Sequence, residues 1–204
     1  MMHMFSQLRP ALTLILIFPL LTGLALPLGF VGFGAAVFPT QAGGSLIVAD
    51  GVVRGSALIG QDFTEARYVH PRPSATTIAD PDDATKTLPS PYAADASNGS
   101  NLGPTSAALR ARVAAAVTAW TRDGGPSPVP ADAVTSSASG LGPAISPANA
   151  LGQVARVAAA RGLSEAAVRA LVAAHTTRPL LGVIGEPRVN VLSLNLALDA
   201  PAAP

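Results

Sequence analysis

The chain has 204 residues, enough for one domain of ordinary size with roughly 40 to 50 residues to spare. Only 12% of residues are charged, against a usual ~25%, while 49% are hydrophobic and the mean hydropathy is +0.41, so part of the chain belongs outside water. The net charge is +1, its twelve arginines and one lysine are scattered, and there is no cysteine; this excludes a nucleic-acid footprint, disulfides, thiol catalysis and thiolate metal sites.

No side chain between Pro10 and Ala49 is charged, and Ala11 to Val37 is apolar apart from Thr13, Thr22 and glycines. A bilayer core of about 30 Å needs roughly 20 helical residues, so the run predicts one transmembrane helix over 10–37 with length left over. The competing reading, a cleaved signal peptide, has an apolar centre of about 7–15 residues and an A-x-A-like cleavage site; this run is longer and no clear A-x-A follows it. Pro19 and Pro27 each remove a backbone hydrogen bond, which membrane helices tolerate when neighbouring helices or threonines satisfy the freed carbonyls. Arg9 lies before the run and no Lys or Arg follows it until Arg54. This bias predicts a short cytoplasmic N-terminus over 1–9 and an extracytoplasmic domain over 38–204.

Leu46 to Val48 and Val52 to Arg54 flank Ala49-Asp50-Gly51, the signature of a short hairpin. Residues 71–104 hold six prolines among many Asp, Asn, Ser and Thr and read as a long ordered loop or a linker. Leu109, Val113, Val117 and Trp120 recur at helical spacing until Gly124-Gly125. A second helix is predicted from Ser146 as N-cap and Pro147 as first residue, with Leu151, Val154 and Val157 inward and a stop at Gly162. A third starts at Ser164, turns Val168, Leu171 and Val172 inward and ends before Pro179. From Asn190 to Asp199, leucines at 192, 194, 196 and 198 alternate with Ser193, Asn195 and Asp199, which predicts a strand with one buried face. The fold class expected is an α+β domain anchored by one N-terminal transmembrane helix.

Candidate chemistry is sparse. Residues 134–146, "VTSSASGLGPAIS", contain five Ser and Thr, and a serine nucleophile there would need a base within reach. Beyond the anchor only His70 and His175 are present, so the enzymatic alternative is a membrane-anchored serine hydrolase using Ser137 or Ser139 with one of them. Gly140-Leu141-Gly142 is half a dinucleotide fingerprint, and the favoured reading is an ordered loop ending in the Ser146 cap. "YVHPRPSA", residues 68–75, sets His70 and Arg72 between prolines, which stiffens the backbone and could present both to a partner. Asp80, Asp82 and Asp83 lack the glycine and glutamate of a calcium loop and read as a solvated acidic turn; no metal site is predicted.

The order of the segments "LRPAL", "GSLIV", "VRGSALIGQDF", "RPSAT", "SNGSNLGPT", "VPADAVTSSASGLGPAIS", "QVARVAAARGLS" and "GEPRVNVLSLNLALD" resembles the KdpC family, the C subunit of the bacterial Kdp potassium-transporting ATPase, from about Leu8 to Asp199. The resemblance implies a single-span, non-catalytic subunit of the bacterial inner membrane, with its N-terminus in the cytoplasm and no cofactor of its own. It also implies that ATP, Mg and K are used by the complex. It implies three partners: a potassium-channel-like subunit, a P-type ATPase subunit and a small single-span subunit, with membrane lipid around the span. It further implies a role in assembly and as a catalytic chaperone that raises the affinity of the pump subunit for ATP. Gly142 stands where the family usually has aspartate, Val69 where it more often has an aromatic, and Pro71 where it more often has glycine. Arg72, Asn101, Ser139 and Gly142 are the interaction candidates that follow from the resemblance.

Overall fold

A computed structural model describes residues 6–83 and 85–200. Residues 1–5 of the expected cytoplasmic segment and 201–204 of the expected outer domain lie outside the described residues. The chain divides into two compact units, Met1–Leu46 and Ile47–Pro204.

The first unit is one continuous helical run from Leu8 to Val37, long and apolar enough to cross a membrane. It consists of α1 (Leu8–Pro19), a π-helical turn (Leu20–Ala25) and α2 (Leu26–Val37), and a single turn, α3 (Pro39–Ala42), follows. The wider π turn falls between Pro19 and Pro27, where the ring of each proline displaces a donor from the ladder. Thr13 and Thr22 do bond main-chain carbonyls, those of Arg9 at 2.8 Å and Phe18 at 2.7 Å. These are not the carbonyls four residues before either proline.

The second unit begins one residue into β1 (Leu46–Ala49), which is followed by β2 (Val52–Ser56). The strands pair as the expected hairpin, with Asp50 (φ 53°) and Gly51 (φ 73°) both left-handed, as a two-residue turn of that hand requires. The proline-rich segment is ordered and contains a second hairpin, β3 (Thr77–Ala79) against β4 (Thr87–Pro89), in the register Ile78↔Leu88. The acidic turn at its tip bonds itself: Asp80 Oδ1 accepts from Asp82 N–H, and Asp83 takes Thr85 and Lys86.

The rest is helical around a small antiparallel sheet. In chain order these are α4 (Ala107–Arg122), α5 (Ala131–Val134), β5 (Ala144–Ile145), α6 (Pro147–Gly152), α7 (Val154–Arg161), α8 (Glu165–Ala174), β6 (Thr176–Thr177), β7 (Arg188–Asn190) and α9 (Val191–Asp199). Ser106, Ser146, Ser164 and Asn190 each accept a hydrogen bond from the backbone N–H three residues on, which fixes where their helices begin. Gly162, at φ 66°, ends α7 in the left-handed conformation that costs glycine least. The sheet order is β5-β7-β6, with Val189 opposite both Ile145 and Thr176 and fully buried.

Two expectations are corrected. The 190–199 segment is a helix preceded by a three-residue strand, not a strand. Alternate leucines suit a strand, but the buried set, Val191, Leu192, Leu194, Asn195 and Leu198, follows helical spacing, and Asn190 bonds Ser193 N–H at 2.9 Å to start it. In the second helix, Leu151 is 40% exposed; Ala150, Val154, Val157 and Ala158 face the core, and the helix breaks at Gln153 into α6 and α7. The core is rich in valine, with Val69 brought from the loop region to sit among helices α7 to α9.

Candidate functional site

Residues 68–76, 97–101 and 135–142 are hydrogen-bonded into one cluster, which joins the stretches 68–75 and 134–146 that sequence reading took separately. Its foundation is a pair of amide side chains. Asn195 in α9 accepts from Val69 N–H at 2.8 Å and donates to Val69 C=O at 2.9 Å, entirely in the buried core. Gln153, at the α6/α7 break, accepts from His70 N–H at 2.8 Å and donates to His70 C=O at 3.1 Å. Each amide pairs with both polar groups of one residue, as a neighbouring strand would, so the extended segment before Pro71 is held where no strand runs beside it.

Gln153 extends the network. Its amide also donates to Asn149 Oδ1 at 2.8 Å, and Asn149 donates to Asp132, whose carboxylate receives Ser146 N–H and Oγ–H at 2.7 and 2.9 Å. Arg156 donates to Gln153 Oε1 and to the carbonyls of Ala66 and Tyr68. Burial lowers the Arg156 pKa from its ordinary value. Burial and the nearby Arg156 charge push the His70 pKa below its ordinary 6.5, which favours the neutral imidazole; its Nε2 lies 3.1 Å from Glu65 O.

Arg72 reaches across to the third loop. Its guanidinium donates to Thr135 C=O, Thr135 Oγ1 and Ser136 C=O at 3.2 to 3.3 Å. The Tyr92 hydroxyl donates to Arg72 C=O at 2.9 Å, and its burial raises that phenol to about 12. Ser74 Oγ donates to Gly140 C=O at 2.8 Å, while Asn98 N–H and Ser97 Oγ both donate to Ser139 C=O. Gly140 is left-handed at φ 69°, and a Cβ there would strike Asn98 O and Thr76 Cγ2 at 2.6 Å. The loops therefore meet at a contact only glycine permits.

The interaction candidates fall in different surroundings. Ser139 acts through its carbonyl as well as its hydroxyl, which accepts Leu141 N–H at 3.1 Å. Gly142 N–H donates to Ser137 Oγ at 3.2 Å, and a Cβ on Gly142 would sit 3.1 Å from Ser137 Cβ, a fit needing a shift of a few tenths of an ångström. Asn101 is exposed and left-handed at φ 50°. The serine-hydrolase alternative needs a serine beside an imidazole, and among the described residues neither Ser137 nor Ser139 is hydrogen-bonded to His70 or His175. His175 Nδ1 instead lies 2.9 Å from Leu171 O, capping its own helix. Among the described residues no cluster of His, Cys, Asp and Glu could hold a metal ion.

Beside the 68–76 segment lies a cavity of about 540 Å³ lined by His70, Arg72, Trp120, Asn149, Gln153 and Arg156, among others. Trp120 Nε1 donates to Pro126 O at 3.0 Å, and its indole leaves no room for a Cβ on Gly125 or Gly152. The lining brings amide and guanidinium donors together with an indole. Sequence reading missed Gln153, Asn195 and Asp132. The available signal was an amide in an otherwise apolar helical stripe, as Asn195 is between Val191 and Leu198.

Comparison with known proteins covers nearly the whole chain. Residues 8–200 match the family described as "KdpC: K+-transporting ATPase, c chain". A potassium-transporting ATPase KdpC subunit from Rhodopseudomonas palustris (strain BisB18) is 58% identical over 97% of this chain and 99% of its own length. The proteins of the same name from Methylobacterium nodulans and Bradyrhizobium diazoefficiens are 57% and 54% identical, over 96% and 98% of this chain and 98% and 100% of their own. The chain thus belongs to the KdpC family, the c chains of potassium-transporting ATPases, as a membrane-anchored accessory subunit.

Proposed function

We propose that the chain assembles in the bacterial inner membrane with a potassium-channel-like subunit, a P-type ATPase subunit and a small single-span subunit. In that complex, which uses ATP, Mg and K, it acts as a catalytic chaperone that raises the affinity of the pump subunit for ATP. The N-terminus is cytoplasmic and the body extracytoplasmic, in keeping with Arg9 on one flank of the span and no further basic residue until Arg54. The observation that carries this reading is the collinear family match from residue 8 to residue 200.

An extracytoplasmic body cannot touch a cytoplasmic nucleotide site across ~30 Å of hydrocarbon. The effect on ATP is a coupling free energy passed through subunit contacts that favour one conformation of the pump. The loop cluster suits that task, since Arg72, Gln153 and Asn195 hold one surface in a fixed shape by long-range bonds.

The test is potassium-stimulated ATP hydrolysis by the purified complex with this chain present, stripped and added back. The expected result is a KM for ATP that rises without the chain and returns with it, while kcat changes less. An unchanged KM in a complex that still assembles would refute the chaperone role, and failure of the large subunits to travel with the tagged chain would refute the assembly.

A further inference from the structure

The loop joining β6 to β7 carries a feature that lies outside the hydrogen-bonded loop cluster and the residues lining its cavity. Leu180 N–H donates to Ile184 C=O and Ile184 N–H to Leu180 C=O, both at 3.0 Å, closing a turn in which Leu181 (φ 54°) and Gly182 (φ 76°) are left-handed. A turn locked by main-chain bonds has a set direction, and this one faces outward. Leu181 is 83% and Val183 81% exposed, whereas the most exposed large hydrophobic on the anchor, Leu16, is 70% exposed. The tip therefore offers its apolar side chains more openly than the segment built for lipid does. Contiguous exposed apolar side chains on a soluble body mark a contact surface.

The flanks say what covers it. The segment from Arg178 to Arg188 holds two arginines and one acid, Glu186, and neither arginine is ion-paired among the described residues. An apolar tip between unpaired cations complements a bilayer surface, where side chains enter the acyl boundary and guanidinium groups meet phosphates. The chain leaves the apolar helical run at Val37 and enters the second unit ten residues later, at Ile47. We propose that the Leu180–Ile184 turn inserts into the interface of an anionic bilayer, with Arg178 and Arg188 on lipid headgroups. This rests on Leu8–Val37 spanning the membrane and is independent of any effect on ATP.

The test uses the cysteine-free full chain, alone and in the assembled complex, in phosphatidylcholine vesicles with and without phosphatidylglycerol. L181C carries an environment-sensitive fluorophore and R169C, on the exposed face of α8, carries the same label as a control. Flotation with the vesicles reports the anchor separately, so its failure is not confused with failure of the loop. Insertion gives blue-shifted emission from position 181, quenched by spin-labelled lipid and protected from aqueous iodide, with the control showing the reverse. Iodide access at position 181 overturns the proposal, and so does protection from both quenchers, which would mean a protein covers the turn. Adding R178Q and R188Q lowers the inserted-to-free ratio in anionic vesicles by about fivefold per charge, equivalent to about 1 kcal/mol each. An unchanged ratio overturns the headgroup contacts.

Discussion

Between Leu8 and Val37 no residue is buried, whereas the body buries Asn149, Gln153 and Asn195 among its valines. Apart from the donors lost at Pro19 and Pro27, the anchor keeps its backbone bonding within one helical run, so its sequence is constrained mainly to be apolar. The body must hold extended segments such as 68–72 beside helices, where no ladder supplies partners, and it does so with individual amides from distant parts of the chain. Composition specifies the first region and single side chains the second. Substitutions therefore act differently: anchor changes matter by transfer energy, body changes by which buried group is left alone.

The sharpest way to break this contrast is Asn195→Ala. It leaves the N–H and C=O of Val69 without partners in the core, and the expected loss is about 3–5 kcal/mol. Denaturant unfolding of the full chain in mild detergent would measure it, and a loss below about 1 kcal/mol would show that the segment finds other partners. In the anchor, Leu16→Arg places a charge well inside the span and costs about 3 kcal/mol of insertion. The amount of chain retained in carbonate-washed membranes should fall, while the conservative Leu16→Ile should not change it.

The smallest effect sharpens the electrostatics. The folded pKa of His70 lies below 6.5, so between the two values the unfolded chain binds more protons and stability rises with pH. The His70 contribution is fully present above about pH 6.5 and is lost as pH falls below it. His70→Gln should flatten that part of the stability profile; an unaltered slope would mean the ring is solvated.

Two helix starts were legible because a cap is local: Ser146 and Ser164 act within three residues of themselves, while Ser106 caps its helix in the same way without having been picked out. The hairpin at Asp50-Gly51 was legible for the same reason. The 190–199 segment was misread because its alternate leucines suit a strand, and the helical set shows only when Val191 and Asn195 are counted with Leu194 and Leu198. Gln153 and Asn195 were not legible as site residues, since their partners lie 83 and 126 positions away. Arg72 was picked out, but its partners, Thr135 and Ser136, belong to a loop that sequence reading treated separately. Long-range hydrogen bonding leaves no periodic trace, and the candidate site is made almost entirely of it.

The clasp on Val69 and His70 has an evolutionary consequence. Both amides grip main-chain atoms, which every amino acid except proline offers alike, so the grip is blind to what the residue at 70 is. A change of side chain there would give up the approach of the ring to Glu65 O and its place in the cavity wall, but not the clasp that sets the path of the chain. Drift at 153 or 195 finds no such tolerance, because those positions own the hands that do the holding.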